Sequence, residues 1–369
     1  MQIDKFKVEE WFNKYEKDAV YDLADTCVSS LSCEELFKIT ECDEKEVFKR
    51  ILNYGDIHGS TRLKNAISTL YENQSCENIT ITHGTIGANH LVFLSLIEPD
   101  DKVVAIIPNY QQHYSIPKSF GANVEYLYLK EKNNWLPDLE ELEKLAQGAK
   151  IITLSNPNNP TGAVISDSMM EKIVKIARKN SAYILCDEVY RGLNHNGNSF
   201  SKSVADLYEK GISTSGVSKV FSLAGLRLGW IVSNKELITK INSQREYNTI
   251  SVGIINDYLA SIAIENKSKI IERNLKKIKE GKEILLSWAK SEPQIRLVSP
   301  CGGTTALLGY NFDFPSADLC KNLQEKTGVM ILPGSTLEME GYLRVGYGNN
   351  PEKLKKGLEI FSNYLKNKS

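Results

Sequence analysis

The sequence predicts an α/β fold with a large domain, built on a mostly parallel sheet between helices, and a smaller α+β domain. From about residue 60 to 235, short apolar runs alternate with amphipathic helical stretches, which is typical of a parallel sheet covered on both faces. A charged helical stretch follows, roughly from Asn256 to Lys290, and short strands and two helices follow residue 295. We expect residues 46–280 to form the large domain, and residues 1–45 with 281–369 to form the small one.

Hydrophobic periodicity assigns the individual elements of both domains. In the large domain, apolar runs predict strands at Lys102–Ile107, Val124–Leu129, Lys150–Leu154 and Tyr183–Cys186. Helical spacing predicts helices at Arg62–Tyr71, Ala88–Ile97, Leu139–Ala146 and Met169–Lys179. In the small domain we expect strands within residues 295–299, 304–310, 328–332 and 342–347, and helices at Asp318–Lys326 and Glu352–Leu365.

Composition excludes several classes of protein. The net charge of -1 gives no basic footprint for nucleic acid or an anionic membrane. The apolar runs are much shorter than the ~20 residues of a membrane span, and the N-terminus lacks the apolar core of a signal peptide. We therefore expect a cytoplasmic protein. Seven scattered cysteines without a CxxC pair predict reduced thiols, and the histidine spacing favours no metal site.

A lysine in a small-residue segment is the first candidate for chemistry. Lys219 closes the run Ser-Gly-Val-Ser-Lys and is followed by GLRLGW, which contains Arg227. A lysine amine forms an imine with an aldehyde cofactor, and small neighbours let the cofactor approach the backbone. An arginine supplies a forked donor to a phosphate. Most lysines are simply solvated, but this surrounding pattern favours a cofactor-binding role.

Three further motifs end predicted strands. Asp187 and Tyr190 lie in DEVY, where the acid either pairs with a protonated ring nitrogen or caps the next helix. The run NPNNPTG, which contains Asn159, is dense in turn residues at a place where loops carry function. The glycine loop at Thr82–Ala88 opens a helix and could bind a phosphate, although it lacks the spacings of a P-loop or a dinucleotide fold.

The last candidate lies on a short strand of the small domain. Arg344, in YLRVGY, could hold a substrate carboxylate with two parallel hydrogen bonds. A strand arginine in a surface ion pair is the alternative interpretation.

Together these motifs resemble the class I and II aminotransferases, which are fold-type I enzymes dependent on pyridoxal 5'-phosphate (PLP). The likeness runs from about Tyr54 to Arg344. It implies that Lys219 forms the Schiff base with PLP, that Asp187 pairs with the ring nitrogen, and that Tyr190 belongs to the catalytic set with them. It further implies Asn159 and Tyr190 at the ring hydroxyl, Tyr110 stacked on the ring, Gly84, Thr85, Ile86, Ser218 and Arg227 at the phosphate, and Arg344, Asn159 and Thr26 at the substrate.

The resemblance also implies a homodimer in which Tyr54 reaches the cofactor of the neighbouring subunit. Three positions depart from the family pattern. Gly216 replaces the usual serine or threonine three residues before the lysine, Thr26 stands near a glycine that lines the substrate pocket, and Leu337 replaces a common aromatic residue.

The function implied is transfer of an amino group from an L-amino acid to a 2-keto acid. A β-carbon–sulfur lyase shares every residue named above, as does an amino-acid cyclase of the capreomycidine synthase type. The N-terminal pattern WFxxYxxDxxYD is similar to that of the cyclase type. A PLP-binding transcription regulator would need a DNA-binding module and a basic footprint, and a nicotinamide oxidoreductase would need G-x-G-x-x-G.

Overall fold

A seven-stranded sheet lies at the centre of the fold, in a computed structural model that describes residues 2–196 and 200–366. The strands are β1 Tyr21–Asp22, β2 Ile79–His83, β3 Lys102–Ile107, β4 Asn123–Tyr128, β5 Ile151–Ser155, β6 Tyr183–Asp187, β7 Gly211–Gly216, β8 Leu228–Val232, β9 Ile295–Leu297, β10 Thr305–Tyr310, β11 Val329–Met330, β12 Leu332–Pro333 and β13 Tyr342–Gly346.

Helices surround the sheets. The α-helices are α1 Lys7–Tyr15, α2 Cys33–Thr40, α3 Lys45–Phe48, α4 Thr61–Ser68, α5 Gly84–Leu96, α6 Gln112–Ser119, α7 Leu139–Leu145, α8 Asp167–Lys179, α9 Val204–Leu207, α10 Lys235–Arg245, α11 Ile254–Glu265, α12 Lys267–Ser291, α13 Ser316–Thr327 and α14 Pro351–Lys366. Short 3₁₀ segments span Glu16–Asp18, Cys76–Asn78, Glu131–Asn133, Ala224–Leu226 and Gly334–Leu337.

The central sheet has the strand order β2-β8-β7-β6-β5-β3-β4. Strands β7, β6, β5, β3 and β4 pair in parallel, and β8 runs antiparallel to both of its neighbours. This confirms the predicted mostly parallel sheet. Because parallel strands end at one edge, the residues that follow β5, β6 and β7 are brought together there.

Successive residues of the parallel strands point into two separate apolar layers, as the twofold alternation of a strand requires. Val103 lies in a cluster with residues of α5 and α10. Its neighbour Val104 lies in a cluster with residues of α7 and α8. The sheet is therefore covered by helices on both faces, as predicted, and this explains why β3, β5 and β6 are nearly continuous apolar runs.

A second sheet of four antiparallel strands has the order β12-β13-β10-β9. The N-terminal part of the chain lies beside it, because β1 pairs in parallel with β11 through Tyr21 opposite Val329. Strand β13, which carries Arg344, is the second strand of this sheet and pairs with both β10 and β12.

The predicted helical stretch from Asn256 to Lys290 is divided into two helices, α11 and α12. They meet at Asn266, whose backbone φ of -105° and ψ of 27° is not helical. Its side-chain amide donates to the carbonyl of Ile262 at 2.9 Å. Asparagine competes in this way for the backbone hydrogen bonds of a helix, which apolar periodicity alone does not reveal. Over the described ranges, no helix has the length and apolar character needed to cross a membrane.

Candidate active site

A cavity of about 340 Å³ opens where the parallel strands end and the second sheet faces them. Most residues that the sequence singled out line it. They are Thr26, Thr85, Ile86, Tyr110, Asn159, Asp187, Tyr190, Ser218, Lys219, Arg227 and Arg344. Gly84, the first residue of α5, is not part of this lining, and neither is Tyr54. Asn89, Asn109, Ser155 and three residues of α1 also line the cavity without having been predicted.

Lys219 follows β7 and directs its amine into the cavity. Its Nζ donates to Thr26 Oγ1 at 2.6 Å and to Cys27 Sγ at 3.1 Å. Burial by itself lowers the pKa of Lys219, but the neighbouring Tyr190 and Cys27 groups outweigh it and raise that pKa above its ordinary value. Burial raises the pKa of the Cys27 thiol, which the nearby Lys219 partly offsets.

Asp187 is the last residue of β6 and is buried. Its Oδ2 accepts from Asn89 Nδ2 at 3.1 Å, and His113 Nε2 lies 3.7 Å from the same oxygen. Its Oδ1 accepts from the backbone N–H of Val189 at 3.0 Å. Among the described residues no helix starts directly after β6, so the capping interpretation is wrong: Oδ1 closes a turn at Val189, and the Asn89 amide orients the other oxygen. Asn89 and His113 were not predicted.

Behind Asp187, the next acid of DEVY forms a buried ion pair. Glu188 Oε2 lies 2.7 Å from Arg191 Nε, and both side chains are almost fully buried. Its carboxylate also accepts from Ser203 Oγ and Ser213 Oγ at 2.9 and 2.8 Å. Burial raises the pKa of Glu188, against the opposing effect of Arg191. This pair fixes the turn after β6 and does not line the cavity.

Arg344 projects from β13 toward the ends of the parallel strands and is only 2% exposed. Its guanidinium donates to the Ala24 carbonyl at 3.0 Å and to Asn159 Oδ1 at 3.4 Å. Among the described residues, its Nε has no hydrogen-bond partner and no carboxylate forms an ion pair with it. Burial lowers its pKa. A buried cation with a free donor suits an anionic ligand, since unpaired buried charge is costly, and the surface ion-pair interpretation is wrong.

The opposite end of the cavity can hold a phosphate. Helix α5 starts at Gly84, whose φ of 65° favours glycine, and its first N–H groups are free in the way that binds anions. Thr85 Oγ1 is buried and has no partner among the described residues. Arg227 lines the same end of the cavity, and its NH1 donates to the Ala224 carbonyl at 2.9 Å. An unpartnered buried hydroxyl, a helix start and a guanidinium fit the phosphate of PLP.

Gly216 has a steric reason for departing from the family pattern. A Cβ built there would lie 2.8 Å from the Leu228 carbonyl oxygen and 2.8 Å from Thr85 Oγ1. Ordinary Cβ contacts are longer than this. A serine or threonine therefore does not fit between β7, β8 and the start of α5 in this chain.

Helix α1 covers one side of the cavity with Val8, Glu9 and Phe12. Glu9 Oε1 accepts from the Tyr110 hydroxyl at 3.0 Å. The Tyr110 pKa is raised by burial and by this carboxylate. This helix was not predicted from the sequence. Its amphipathic spacing is visible there, but the spacing does not indicate which surface of the protein the helix covers.

Tyr54 does not reach the cavity of its own chain. It is 71% exposed and lies near other exposed apolar residues of the same segment. They are Phe48, Ile51, Leu52 and Ile57.

Comparison with known proteins gives consistent results. The family described as aminotransferase class I and II matches residues 35–361. A PLP-dependent aminotransferase structure from Streptococcus suis shares 40% identity and a TM-score of 0.96, covering 100% of this chain and 99% of that one. Capreomycidine synthase of Streptomyces vinaceus is 26% identical over 97% of this chain and 93% of its own length. An aspartate aminotransferase of Pyrococcus horikoshii is 29% identical over 84% and 83% respectively.

Proposed function

The chain belongs to the family of class I and II aminotransferases, and from this premise we propose that it transfers an amino group from an L-amino acid to a 2-keto acid. Family, fold-type I architecture and dependence on PLP agree with what the sequence predicted. The single observation that carries the reaction is one cavity lined by the Lys219 amine, the Asp187 carboxylate and the buried Arg344 guanidinium.

In this proposal Lys219 holds PLP covalently and Asp187 lies at the ring nitrogen. When bound, the cofactor draws electrons away from the bonds of the substrate Cα. The remaining contacts follow from the resemblance to the family, and all of them except Gly84 line the cavity. They are Asn159 and Tyr190 at the ring hydroxyl, Tyr110 against the ring face, and Gly84, Thr85, Ile86, Ser218 and Arg227 at the phosphate.

Two oriented partners support the role of Asp187. The Asn89 amide and the Val189 N–H donate to its two oxygens at 3.1 and 3.0 Å. These donors hold the carboxylate in one orientation at the cavity, where it can pair with a protonated ring nitrogen.

Arg344 binds the α-carboxylate of the substrate, because its guanidinium is buried and has a free donor. With its amine free, Lys219 would take the proton from the substrate Cα and deliver it to the cofactor carbon that receives the amino group, as a transfer reaction requires. Thr26 Oγ1 and Cys27 Sγ are hydrogen-bond partners that hold this amine inside the cavity.

Cyclisation of an amino-acid side chain is the second candidate reaction. The likeness to capreomycidine synthase covers nearly the whole chain, including the N-terminal segment. Both reactions use the same proton transfer at Cα, so product identity separates them.

We also propose a homodimer, with residues 46–280 as the large domain and residues 1–45 with 281–369 as the small one. Phe48, Ile51 and Leu52 are 84, 76 and 76% exposed beside Tyr54. Exposed apolar clusters of this kind mark association surfaces. A partner subunit covering this cluster would bring Tyr54 to its cofactor.

The test is the visible absorbance of the PLP-loaded protein before and after single amino acids are added without a keto acid. Loss of the absorbance band with release of the matching keto acid is expected. Lys219→Ala should lose turnover, since a positioned acid–base group contributes about 10²–10⁴ in rate. Release of a thiol with pyruvate and ammonia, or of a cyclised amino acid, in place of the matching keto acid would overturn the aminotransferase assignment.

A further inference from the structure

The charged groups of the cavity contain one member that the proposed reaction leaves unused. In the described part of the chain, five charged side chains line the cavity, and they are Glu9, Asp187, Lys219, Arg227 and Arg344. The last four are assigned to the cofactor or to the α-carboxylate. Glu9 remains, and it contacts Tyr110, which lines the same cavity as Arg344.

Glu9 is held in place by its neighbours in α1 and not by a partner of opposite charge. The Lys7 backbone N–H donates to Gln111 Oε1 at 2.8 Å, and Gln111 Nε2 donates to the Lys5 carbonyl at 2.8 Å. Val8 is buried beside it. The chain is thus docked at the residues directly before Glu9, which places the Glu9 carboxylate at the cavity.

The Glu9 carboxylate still has binding capacity. Its Oε1 accepts one hydrogen bond, from the Tyr110 hydroxyl at 3.0 Å. Within residues 2–196 and 200–366, no lysine or arginine pairs with it, whereas Lys7 on the same helix is paired with Glu338 at 2.6 Å. A carboxylate has two oxygens and about four acceptor positions, so a cationic group entering the cavity finds a free acceptor there.

We propose that Glu9 selects amino-acid substrates whose side chain ends in a cation, either an ammonium or a guanidinium. This rests on the proposed function, because it needs the α-carboxylate at Arg344 and the α-amine at the cofactor. An acidic side chain would meet like charge at Glu9, and the cavity lining offers it no cation beyond those already assigned. Charge-assisted hydrogen bonds are about twice as strong as neutral ones, so the difference between substrates should be measurable.

The experiment compares L-arginine with L-citrulline and L-lysine with L-norleucine, which are pairs of similar shape and different charge. The PLP-loaded wild-type protein should prefer the cationic member of each pair by about tenfold or more in kcat/KM. Glu9→Gln should remove that preference by lowering kcat/KM for the cationic members about tenfold relative to their neutral counterparts. The glutamine amide oxygen still accepts from Tyr110, so this change removes charge and preserves the contact.

Glu10→Gln is the matched control. Glu10 is the next carboxylate of α1, lies 3.0 Å from Lys5 Nζ, and does not line the cavity. It should keep the wild-type preference. If wild type does not prefer the cationic members, or if Glu9→Gln keeps the preference, the proposal is wrong.

Calorimetric binding of arginine and citrulline to the PLP-loaded protein separates this proposal from the proposed function. Tighter binding of arginine that Glu9→Gln abolishes supports the role of Glu9 even if no keto acid forms, and only the transfer reaction would then fail. Keto-acid formation with equal binding of both ligands would leave the reaction standing and refute the role of Glu9.

Discussion

Replacing Gly216 with serine installs the side chain that the family usually carries, at a place where this chain has no room for it. The new Cβ would lie 2.8 Å from the Leu228 carbonyl oxygen and from Thr85 Oγ1. The Leu228 oxygen cannot move freely, because it accepts from the Val217 N–H at 3.1 Å. Strands β7 and β8 must therefore separate, or the start of α5 must shift.

The magnitude follows from these contacts. Overpacking that shifts backbone costs about 1–3 kcal/mol. Unfolding entropy near 2.1 cal/mol/K per residue gives roughly 0.8 kcal/mol/K for a chain of this size, so ~2 kcal/mol lowers Tm by about 2–3 °C. Displacing Thr85 removes one donor to an anion, worth ~1.5 kcal/mol, so the Kd for PLP should rise about tenfold.

The assays are thermal unfolding of the cofactor-free protein and fluorescence titration with PLP. Gly225→Ser is the control, because a Cβ at Gly225 meets nothing within 4 Å although this glycine lies on the same segment. It should leave both quantities nearly unchanged. A Gly216→Ser protein that binds PLP as tightly as wild type and keeps its Tm would refute the steric account of this departure.

Three further substitutions have defined outcomes. Glu188→Ala should lower the free energy of unfolding by about 3–5 kcal/mol in denaturant titrations, because Arg191 is left buried and unpaired. As a control, Glu209→Ala removes an exposed ion pair and should lower the free energy of unfolding by less than about 1 kcal/mol. Arg344→Lys should raise KM for the amino acid by about tenfold or more, since an ammonium cannot form two parallel hydrogen bonds; an unchanged KM contradicts its assignment. Tyr54→Phe should raise the Kd for PLP while leaving dimer mass in ultracentrifugation unchanged, and equal PLP affinity would remove Tyr54 from the neighbouring site.

The position of Asp187 was predictable, because it follows the apolar run Tyr183–Cys186, parallel strands end at one edge, and ligands bind at that edge. Lys219 was identified by its motif alone, because the strand before it, β7, reads GISTSG and was not predicted. The antiparallel strand β8 was not predicted, because its short apolar run overlaps the GLRLGW motif. Strand direction also depends on partners far away in the chain, which periodicity does not encode.

The residues that orient Asp187 could not be predicted from the sequence, because they too are distant in the chain. Asn89 and Asp187 are separated by 98 positions, and Asn89 lies in the buried interior of α5. A polar residue in an apolar helix is a signal that something must satisfy it, but the sequence does not name the partner. Glu9 is a harder case, because an acid on an amphipathic N-terminal helix is indistinguishable from a solvated one until the helix is docked.

The contacts of the NPNNPTG loop show how a turn positions one asparagine at the cavity. Asn156 bonds the backbone of Ile165 through both ends of its amide, at 2.9 and 3.2 Å. Asn158 donates to the Pro108 carbonyl at 3.1 Å, and Gly162 has no room for a Cβ beside the backbone of β10. These contacts fix the loop, and of its asparagines it is Asn159 that lines the cavity and contacts Arg344. The density of turn residues is therefore the means by which one amide is positioned opposite a buried guanidinium.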